Sequence, residues 1–329
     1  MSAGPSGDAV TLTAAEGMAL ATAVLSRHGF APDEAAAIAN HLVEAELHGH
    51  STTGLARLAA LVRMGQRGRA PVRVVREGPA FAHIDGGGTP GSYAAEVAVK
   101  LAVAKARETG LAVVGLHNSA QAGILGHYVR IAAEAGFVGA LFCSSYPRVA
   151  PHGGIDPVIG TNPIAFGFPG EEAVVVDVST SAVTNGDVAE ARREGRDLPE
   201  GAALDAEGRP TTDPARAADG ALLPVAGHKG YAIGLAMQLF GVLVGGDPVP
   251  ENRGNFGFFF LVVDPALFGA GDGFRGRVEE VREAVKGSRR TAGTEEILLP
   301  GEGSRRRRER SLAQGFPINR ALLRELRDL

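Results

Sequence analysis

Two arginines, Arg57 and Arg63, follow the hydroxyl cluster Ser51-Thr52-Thr53. Guanidinium groups hold carboxylates through paired N–H donors, so this stretch can grip the acid group of a small substrate; it also reads as a solvated helix face. Farther on, the loop Ser144-Ser-Tyr-Pro-Arg-Val-Ala-Pro-His-Gly-Gly154 leads to Gly160-Thr161-Asn162-Pro163, a run of hydroxyls, an amide and rigid backbone of the kind that lines a polar pocket. The apolar run from Val174 ends in Asp177-Val178-Ser179-Thr180-Ser181, and Asn185-Gly186-Asp187 precedes a short helix. Gly227-His228-Lys229-Gly230 opens the most apolar helix of the chain, where unpaired backbone N–H groups beside Lys229 make an anion site.

The elements that must position these residues centre on Leu111 to Pro163. Leu111-Ala-Val-Val-Gly-Leu116 is a β-branched run suited to a buried strand, and it stops at His117-Asn-Ser-Ala-Gln121. Ile124, Leu125, Tyr128, Ile131 and Ala132 then fall at helical spacing, and Phe137 to Cys143 is a second buried strand. In such a strand, loop, helix, strand unit the loops leaving the carboxyl ends of the strands carry the chemistry.

Upstream, the capping-box pattern Thr13-Ala-Ala-Glu16 opens a helix ending near His28-Gly29, and Asp33 to Leu47 makes a second one. Ser51 to Gly54 supplies N-cap candidates for a third. Strands are expected at Val72 to Val75 and Phe81 to Ile84, followed by Gly86-Gly-Gly-Thr-Pro-Gly91 and a helix from about Tyr93 to Arg107. That run matches G-x-G-x-x-G, but no acidic residue ends the next strand and the proline marks a turn, so it reads as a turn rather than a pyrophosphate cradle.

Downstream, strands are expected at Ile164 to Phe168, Val174 to Val178, Phe256 to Val263 and Ile297 to Leu299, with helices at Val188 to Arg193 and Val278 to Val285. Asp197 to Pro224 is a long Pro-, Gly- and Asp-rich loop suited to binding or to wrapping a neighbouring subunit. Tyr231 to Val244, hydrophobic nearly all round, reads as the buried central helix, and Ser304 to Leu329 closes with basic helices. No internal repeat is evident.

A chain of 329 residues at 45% hydrophobic can bury a sizeable core, in two domains or in one with a helical cap. One cysteine, Cys143, gives no disulfide framework and no zinc spacing, so no metal is expected and a cytoplasmic location is. Met1 to Asp8 lacks a secretion-signal pattern, and no apolar run reaches membrane-spanning length. A net charge of -4 argues against nucleic acid as a partner. The basic run Arg305 to Arg308 reads as a solvated helix face or as a contact to a cofactor phosphate.

Together, Gly54-Leu-Ala-Arg57, Asn118-Ser119, Gly160-Thr-Asn-Pro163, Asp177-Val-Ser-Thr-Ser181, Asp205-Ala-Glu-Gly-Arg-Pro-Thr-Thr-Asp-Pro214, Gly227-His-Lys-Gly230 and Pro300-Gly-Glu302 resemble the malate/L-lactate dehydrogenase-like family of NAD(P)-dependent oxidoreductases, including its ketimine reductases. The match runs from about Leu12 to Leu326. The resemblance implies an α/β fold: a non-Rossmann, mixed-sheet nicotinamide-binding domain over about 79–264, with a helical domain of 1–78 completed by about 265–329. It also implies a homodimer, a small-molecule substrate and NADPH or NADH as cofactor. Arg57 matches the residue that holds the substrate carboxylate; Arg63, Thr161 and Asn185 fall among further substrate contacts. Asp177, Val178, Ser179, His228 and Lys229 match cofactor contacts, with Arg305 and Arg306 near the same dinucleotide. Asp187 matches an aspartate of the ketimine reductases' charge relay.

The departures concern catalysis. The family's Ser-His pair before Gly-Leu is Thr52-Thr53 here, and the histidine after Asn118-Ser119 is replaced within Ala120-Gln121, so Thr52, Thr53 and Gln121 occupy the catalytic positions. Neither threonine nor glutamine donates a proton well at neutral pH. Three readings follow. An imine can enter as an iminium, with Asp187 stabilising its charge. A 2-oxo acid can be reduced if His48, His50, His117 or His152 supplies the proton. A cofactor-binding dimer can have lost turnover altogether.

Overall fold

The computed structural model describes residues 9–65, 68–250, 254–271 and 273–329; Met1 to Asp8, read above for a leader pattern, lie outside them. The described residues divide into two compact units, one from Met1–Arg69 with Gly301–Leu329 and one from Ala70–Pro300.

In the first unit, strand β1 (Ala9–Leu12) leads into helix α1 (Ala14–Arg27), whose capping box forms as its sequence predicts. The Glu16 amide donates to Thr13 Oγ1 at 3.2 Å and the Thr13 amide to Glu16 Oε2 at 2.8 Å, satisfying two otherwise orphaned donors. Helix α2 (Pro32–Leu47) follows, starting one residue earlier than the sequence suggests because proline suits a first helical turn. The N-cap expected within Ser51 to Gly54 does not form. Gly54 precedes a 3-10 turn, Leu55–Arg57, with no side-chain cap, and helix α3 (Leu58–Gly65) continues from it. The capping acceptor comes from another helix: buried Glu46 of α2 takes the Leu55 amide at 2.8 Å through Oε1.

The second unit is built on strands β2 (Arg73–Gly78) and β3 (Phe81–Asp85), helix α4 (Gly91–Thr109), strand β4 (Leu111–Ser119), helix α5 (Gly126–Glu134), and strands β5 (Val138–Cys143), β6 (Ile164–Phe168) and β7 (Val174–Val178). Helix α6 (Asn185–Glu194) precedes the short elements β8 (Ala203–Leu204), β9 (Pro210–Thr211), α7 (Pro214–Asp219) and β10 (Ala221–Leu222). Helix α8 (His228–Leu243), strand β11 (Phe256–Val263) and helix α9 (Gly273–Lys286) complete it. The first unit resumes with α10 (Glu302–Gln314), β12 (Phe316–Asn319) and α11 (Arg320–Asp328).

The main sheet has seven strands in the order β2-β3-β4-β11-β5-β6-β7. Only β3 and β4 pair in parallel; every other neighbour is antiparallel. This mixed sheet is the non-Rossmann architecture expected, since a doubly wound dinucleotide fold needs parallel strands throughout its core. β4 and β5 run the same way with β11 between them, and α5 connects them. Alternation along β11 sorts the layers: Phe258 and Phe260 meet Gly91 of α4 and Tyr128 of α5, whereas Phe259 stacks near Phe142 and Phe240 of α8. The unit is therefore three layers deep, α4 and α5 on one face and α8 on the other.

Several expectations change. β4 continues through His117, Asn118 and Ser119 instead of stopping at Leu116, because β11 supplies a partner as far as Ser119. Asp197 to Pro224 is not one loop: it contains a three-stranded sheet, β10-β8-β9, and α7 over a core of Val149, Ala191, Leu198, Ala203 and Leu222. Ile297 to Leu299 forms no strand. The units part at 69/70 and 300/301 rather than at 78 and 265, since β2 is paired to β3 and belongs to the sheet.

Helix α8 is not the buried helix its composition suggests. Only Gly230, Gly234, Met237, Gln238 and Gly241 are buried, while Leu239 and Leu243 are 59% and 69% exposed and Ile233 is 48% exposed. The reason is close approach. A Cβ on Gly241 would lie 2.5 Å from Ser144 Cβ, and one on Gly234 2.8 Å from Thr180 Oγ1, so small residues face the sheet and large apolar ones face outward.

The C-terminal segment differs from a run of helices: β12 pairs antiparallel with β1, four residues each, too short to leave a period-2 signature. Arg305 to Arg308 is a partly solvated face, with Arg307 exposed and the other three half-buried, and it also makes fixed contacts. Arg308 clamps Glu44 of α2 through Nε and Nη2 at 2.7 and 2.8 Å, and Arg307 Nε donates to the His48 carbonyl at 3.0 Å. These bonds cap the carboxyl end of α2 and fasten α10 to it.

Candidate functional site

The sheet register gathers the polar motifs of the second unit at one end. Ser119 at the end of β4 pairs with Phe256 at the start of β11, and Phe258 pairs with Cys143 at the end of β5. Phe142 then pairs with Ile164 and Ile164 with Val178. The loops at Ala120-Gln121, Ser144 to Gly154, Gly160 to Pro163 and Ser179 to Ser181 consequently leave the same edge of the sheet. Among the described residues, four that are not glycine have positive φ: Asn118 (51°), Gln121 (63°), Asn162 (32°) and Ala226 (52°). All four fall in or beside these motifs. Such strain persists only where surrounding contacts over-determine it, and it concentrates at functional sites.

Asn162 is the joint of this cluster. It is fully buried; its Oδ1 accepts the Ser145 amide at 2.9 Å, and its Nδ2 donates to the Gly234 carbonyl and to Gln238 Oε1, both at 2.9 Å. Beside it, the Thr161 carbonyl accepts from the Thr180 amide at 3.0 Å, Ser179 Oγ at 3.1 Å and Thr180 Oγ1 at 3.0 Å. Thr161 Oγ1 lies 3.5 Å from Ser145 Oγ. The Gly160 to Pro163 loop is thus bound to the end of β7, to the loop after β5 and to α8.

Asp177 and Val178 are exposed at the end of edge strand β7, and Ser179 is half-buried, sharing a 2.7 Å hydrogen bond with Ser181. The Asp177 carboxylate reaches inward and accepts the Gly126 amide at 2.7 Å, at the start of α5. Although the residue as a whole is exposed, desolvation of its inward-turned carboxyl pushes its pKa up to about 6, against the Gly126 and Leu125 amides, which favour the anion. Asn185 accepts from Arg148 Nε at 2.7 Å and donates to the Tyr146 hydroxyl at 2.7 Å. Asp187 closes a capping box on α6: its Oδ2 accepts the Thr184 amide at 2.7 Å and Thr184 Oγ1 at 2.9 Å. None of these capping bonds uses Oδ1.

His228 and Lys229 are exposed on the first turn of α8, whose first intrahelical acceptor bond runs from the Tyr231 amide to the Gly227 carbonyl. The amides before it and the Lys229 charge suit a phosphate. Gly86 to Gly91 does not. The amides of Gly86, Gly88, Thr89 and Gly91 donate to the carbonyls of His117, Asn118, Gly86 and Ala120, and that of Gly87 to Asp85 Oδ1, so the turn is closed on protein acceptors.

In the first unit, Arg57 Nε donates to the Thr52 carbonyl at 2.8 Å and Thr53 Oγ1 to the His50 carbonyl at 3.0 Å, while Arg63 is exposed on α3. Arg305 is paired with Glu309 at 2.6 Å and Arg306 with Glu302 at 3.0 Å. Of the histidines considered as proton donors, His48 is buried, with Nδ1 3.0 Å from Ser304 Oγ and Nε2 3.6 Å from Glu44, an architectural position. His117 packs 4.6 Å from His83 beside Val244 and Gly245, past the carboxyl end of α8; burial, then His83, holds its pKa below the usual imidazole range. His50 is exposed. His152 lies 6.0 Å from His228, at the amino end of α8. Residues that sequence reasoning gave no role are Tyr146, Arg148, Ser145 and Gln238; only the polarity of the Ser144 to Gly154 loop pointed toward the first three. Among the described residues no group of three or more His, Cys, Asp or Glu is arranged to hold a metal, and no helix is long and apolar enough to cross a membrane.

The Asp177 shift has a stability consequence. Its folded pKa of about 6 lies above the ordinary aspartate value of about 3.9, so the folded protein binds more protons between these values and stability falls as pH rises from about 4 to about 6. Asp177→Asn should remove that fall, measured as urea midpoints across the window; an unchanged slope in the variant would assign it elsewhere.

The comparisons agree on family. Residues 12–327 match the family described as malate/L-lactate dehydrogenase. L-sulfolactate dehydrogenase from Methanocaldococcus jannaschii is 33% identical over 93% of this chain and 92% of its own length. Delta(1)-pyrroline-2-carboxylate reductase from Ancylobacter novellus is 34% identical over 97% of each chain. The crystal structure of delta1-piperideine-2-carboxylate reductase from Pseudomonas syringae superimposes with a TM-score of 0.87 at 33% identity, covering 97% of this chain and 99% of that one. With the mixed sheet and the motif loops gathered at one end, this places the chain in the malate/L-lactate dehydrogenase family of oxidoreductases.

Proposed function

We propose that this protein reduces the C=N bond of a small, carboxylate-bearing ketimine, using NADPH or NADH. When bound, the reduced nicotinamide supplies the hydride. His228, Lys229 and the hydroxyl-rich end of β7 at Asp177 to Ser179 are the residues of the second unit suited to hold the dinucleotide. Arg57, Arg63, Thr161 and Asn185 are assigned to the substrate.

The observation that carries this reading is the state of the catalytic positions. Thr53 spends its hydroxyl on the His50 carbonyl, the Thr52 carbonyl is held by Arg57, and Gln121 sits in left-handed backbone. None of these is an acid, and an iminium needs none at the hydride step. A carboxylate that stabilises the cation suffices, and Asp187 is held in a fixed rotamer by its cap. Reduction of a 2-oxo acid is the second reading, favoured by the similarity to L-sulfolactate dehydrogenase.

Screening cyclic ketimine carboxylates against 2-oxo acids with each nucleotide separates the two, the expected outcome being faster turnover of the ketimines. Asp187→Asn should lower ketimine turnover by about two orders, the scale of removing one electrostatic stabiliser. Turnover of 2-oxo acids alone, or an Asp187→Asn variant as fast as the parent, would sink the assignment.

We also propose a homodimer, supported by the outward apolar face of α8, where Leu235, Leu239 and Leu243, four residues apart, form a stripe that a solitary chain would leave wet. Light scattering should give about twice the 33.9 kDa chain mass, and Leu239→Glu with Leu243→Glu should halve it. A parent protein of single-chain mass at micromolar concentration would contradict this.

A further inference from the structure

We propose that Tyr146 is the proton donor of this site and that Asn185 and Arg148 are the positioning residues that hold its hydroxyl. The inference rests on the reading that a C=N or C=O bond is reduced here. Hydride addition leaves an electron pair on nitrogen or oxygen, and that atom must be protonated before or as the hydride arrives. The catalytic positions taken by Thr53 and Gln121 offer no acid, and of the four histidines weighed above, His48 is bonded to Ser304, His117 lies past the far end of α8, His152 stands against His228 where the dinucleotide is assigned, and His50 is exposed on the first unit. A phenol is a competent general acid.

Tyr146 stands where the motif segments of the second unit converge. Its ring stacks on Phe256, with centroids 6.5 Å apart and planes at 20°, and Phe256 pairs with Ser119, just before Gln121. Its chain neighbour Ser145 is bonded to Asn162 and lies against Thr161. Its hydroxyl accepts from Asn185 Nδ2 at 2.7 Å, at the first residue of the helix that carries Asp187. One phenol is thereby anchored to three motif segments.

The second tier fixes which way the bond runs. Arg148 Nε donates to Asn185 Oδ1 at 2.7 Å, and its Nη1 and Nη2 donate to the carbonyls of Ala218 and Ala217 at 3.1 and 3.2 Å, near the end of α7. Arginine has no acceptor, so the Asn185 oxygen must face it and the Asn185 NH2 must face Tyr146. The phenol oxygen is then the acceptor of that bond, which orients its own hydrogen away from Asn185. Once the proton has left, the phenolate is stabilised by an amide donor polarised by a fixed guanidinium.

The substrate carbon takes the hydride, the π pair of the C=N or C=O bond moves to the heteroatom, and that atom takes the proton of the Tyr146 hydroxyl. The phenolate is then reprotonated by water. For an imine the same proton forms the iminium in advance of the hydride.

The test uses Tyr146→Phe, which keeps the ring, and two substrates: the ketimine or 2-oxo acid that the parent reduces, and an N-methyl iminium carboxylate that is permanently cationic and needs no proton. The variant should lose about 100-fold or more in kcat on the first substrate. It should reduce the iminium within about threefold of the parent rate and bind the nucleotide, by fluorescence titration, within about twofold. Asn185→Ala, which weakens phenolate stabilisation, should move the alkaline limb of the kcat profile to higher pH. Equal losses on both substrates would make Tyr146 structural, and no loss on either would remove it from the reaction; both results overturn the proposal while leaving the reductase reading intact. A parent that reduces neither substrate class removes the reading and the donor together.

Discussion

Asn162 is the residue on which the second unit's site depends. Its side-chain bonds reach the loop after β5 and two residues of α8, and it makes them from a buried, left-handed backbone position where a β-carbon is strained. Leaving a buried amide donor or acceptor unpaired costs about 1–3 kcal/mol for each group, so the strain is held in place by several bonds at once. Because Asn162 binds Gly234 and Gln238 while Thr161 takes the hydroxyls of Ser179 and Thr180, the end of β7 and the wall formed by α8 are set by one short loop. The glycines of α8 let this happen. With larger residues at Gly234 and Gly241 the helix would have to lift away from Thr180 and Ser144.

That packing choice also explains the exposed leucines. A helix that needs glycine against its own sheet has only its outward face for large apolar side chains, and those side chains call for a cover. The same α8 thus packs its small face against the sheet at the candidate site and leaves Leu239 and Leu243 exposed on the other side, the face on which the proposed dimer rests.

Much of the second unit was legible in the sequence, because its buried strands are uninterrupted apolar runs and its loops are punctuated by glycine and proline. The turn at Gly86 to Gly91 could be distinguished from a pyrophosphate cradle by its proline, and the structure supplies the reason in amides already bonded to His117, Asn118 and Ala120. What could not be read were features set by distant partners. Glu46 caps Leu55, Arg307 and Arg308 tie α10 to α2, and β1 needs β12 before either is a strand. At α8 composition points the wrong way, since the large apolar residues are exposed and the buried stripe is glycine with Met237 and Gln238. At the site, the motifs point to Thr161, Asn185 and Asp187, yet nothing in them points to the Tyr146, Asn185 and Arg148 chain, because an aromatic and an arginine flanking a proline look like an ordinary turn.

In the proposed assignment, loops at one end of the mixed sheet and the start of α8 would hold the dinucleotide, and the glycine-rich turn would not. Amide hydrogen exchange with and without saturating NADPH or NADH tests it most directly. Added protection is expected in peptides covering Gly160 to Pro163, Asp177 to Ser181 and Val225 to Gly230, with Gly86 to Gly91 unchanged. Protection confined to Gly86 to Gly91, with those three segments unaffected, would contradict it.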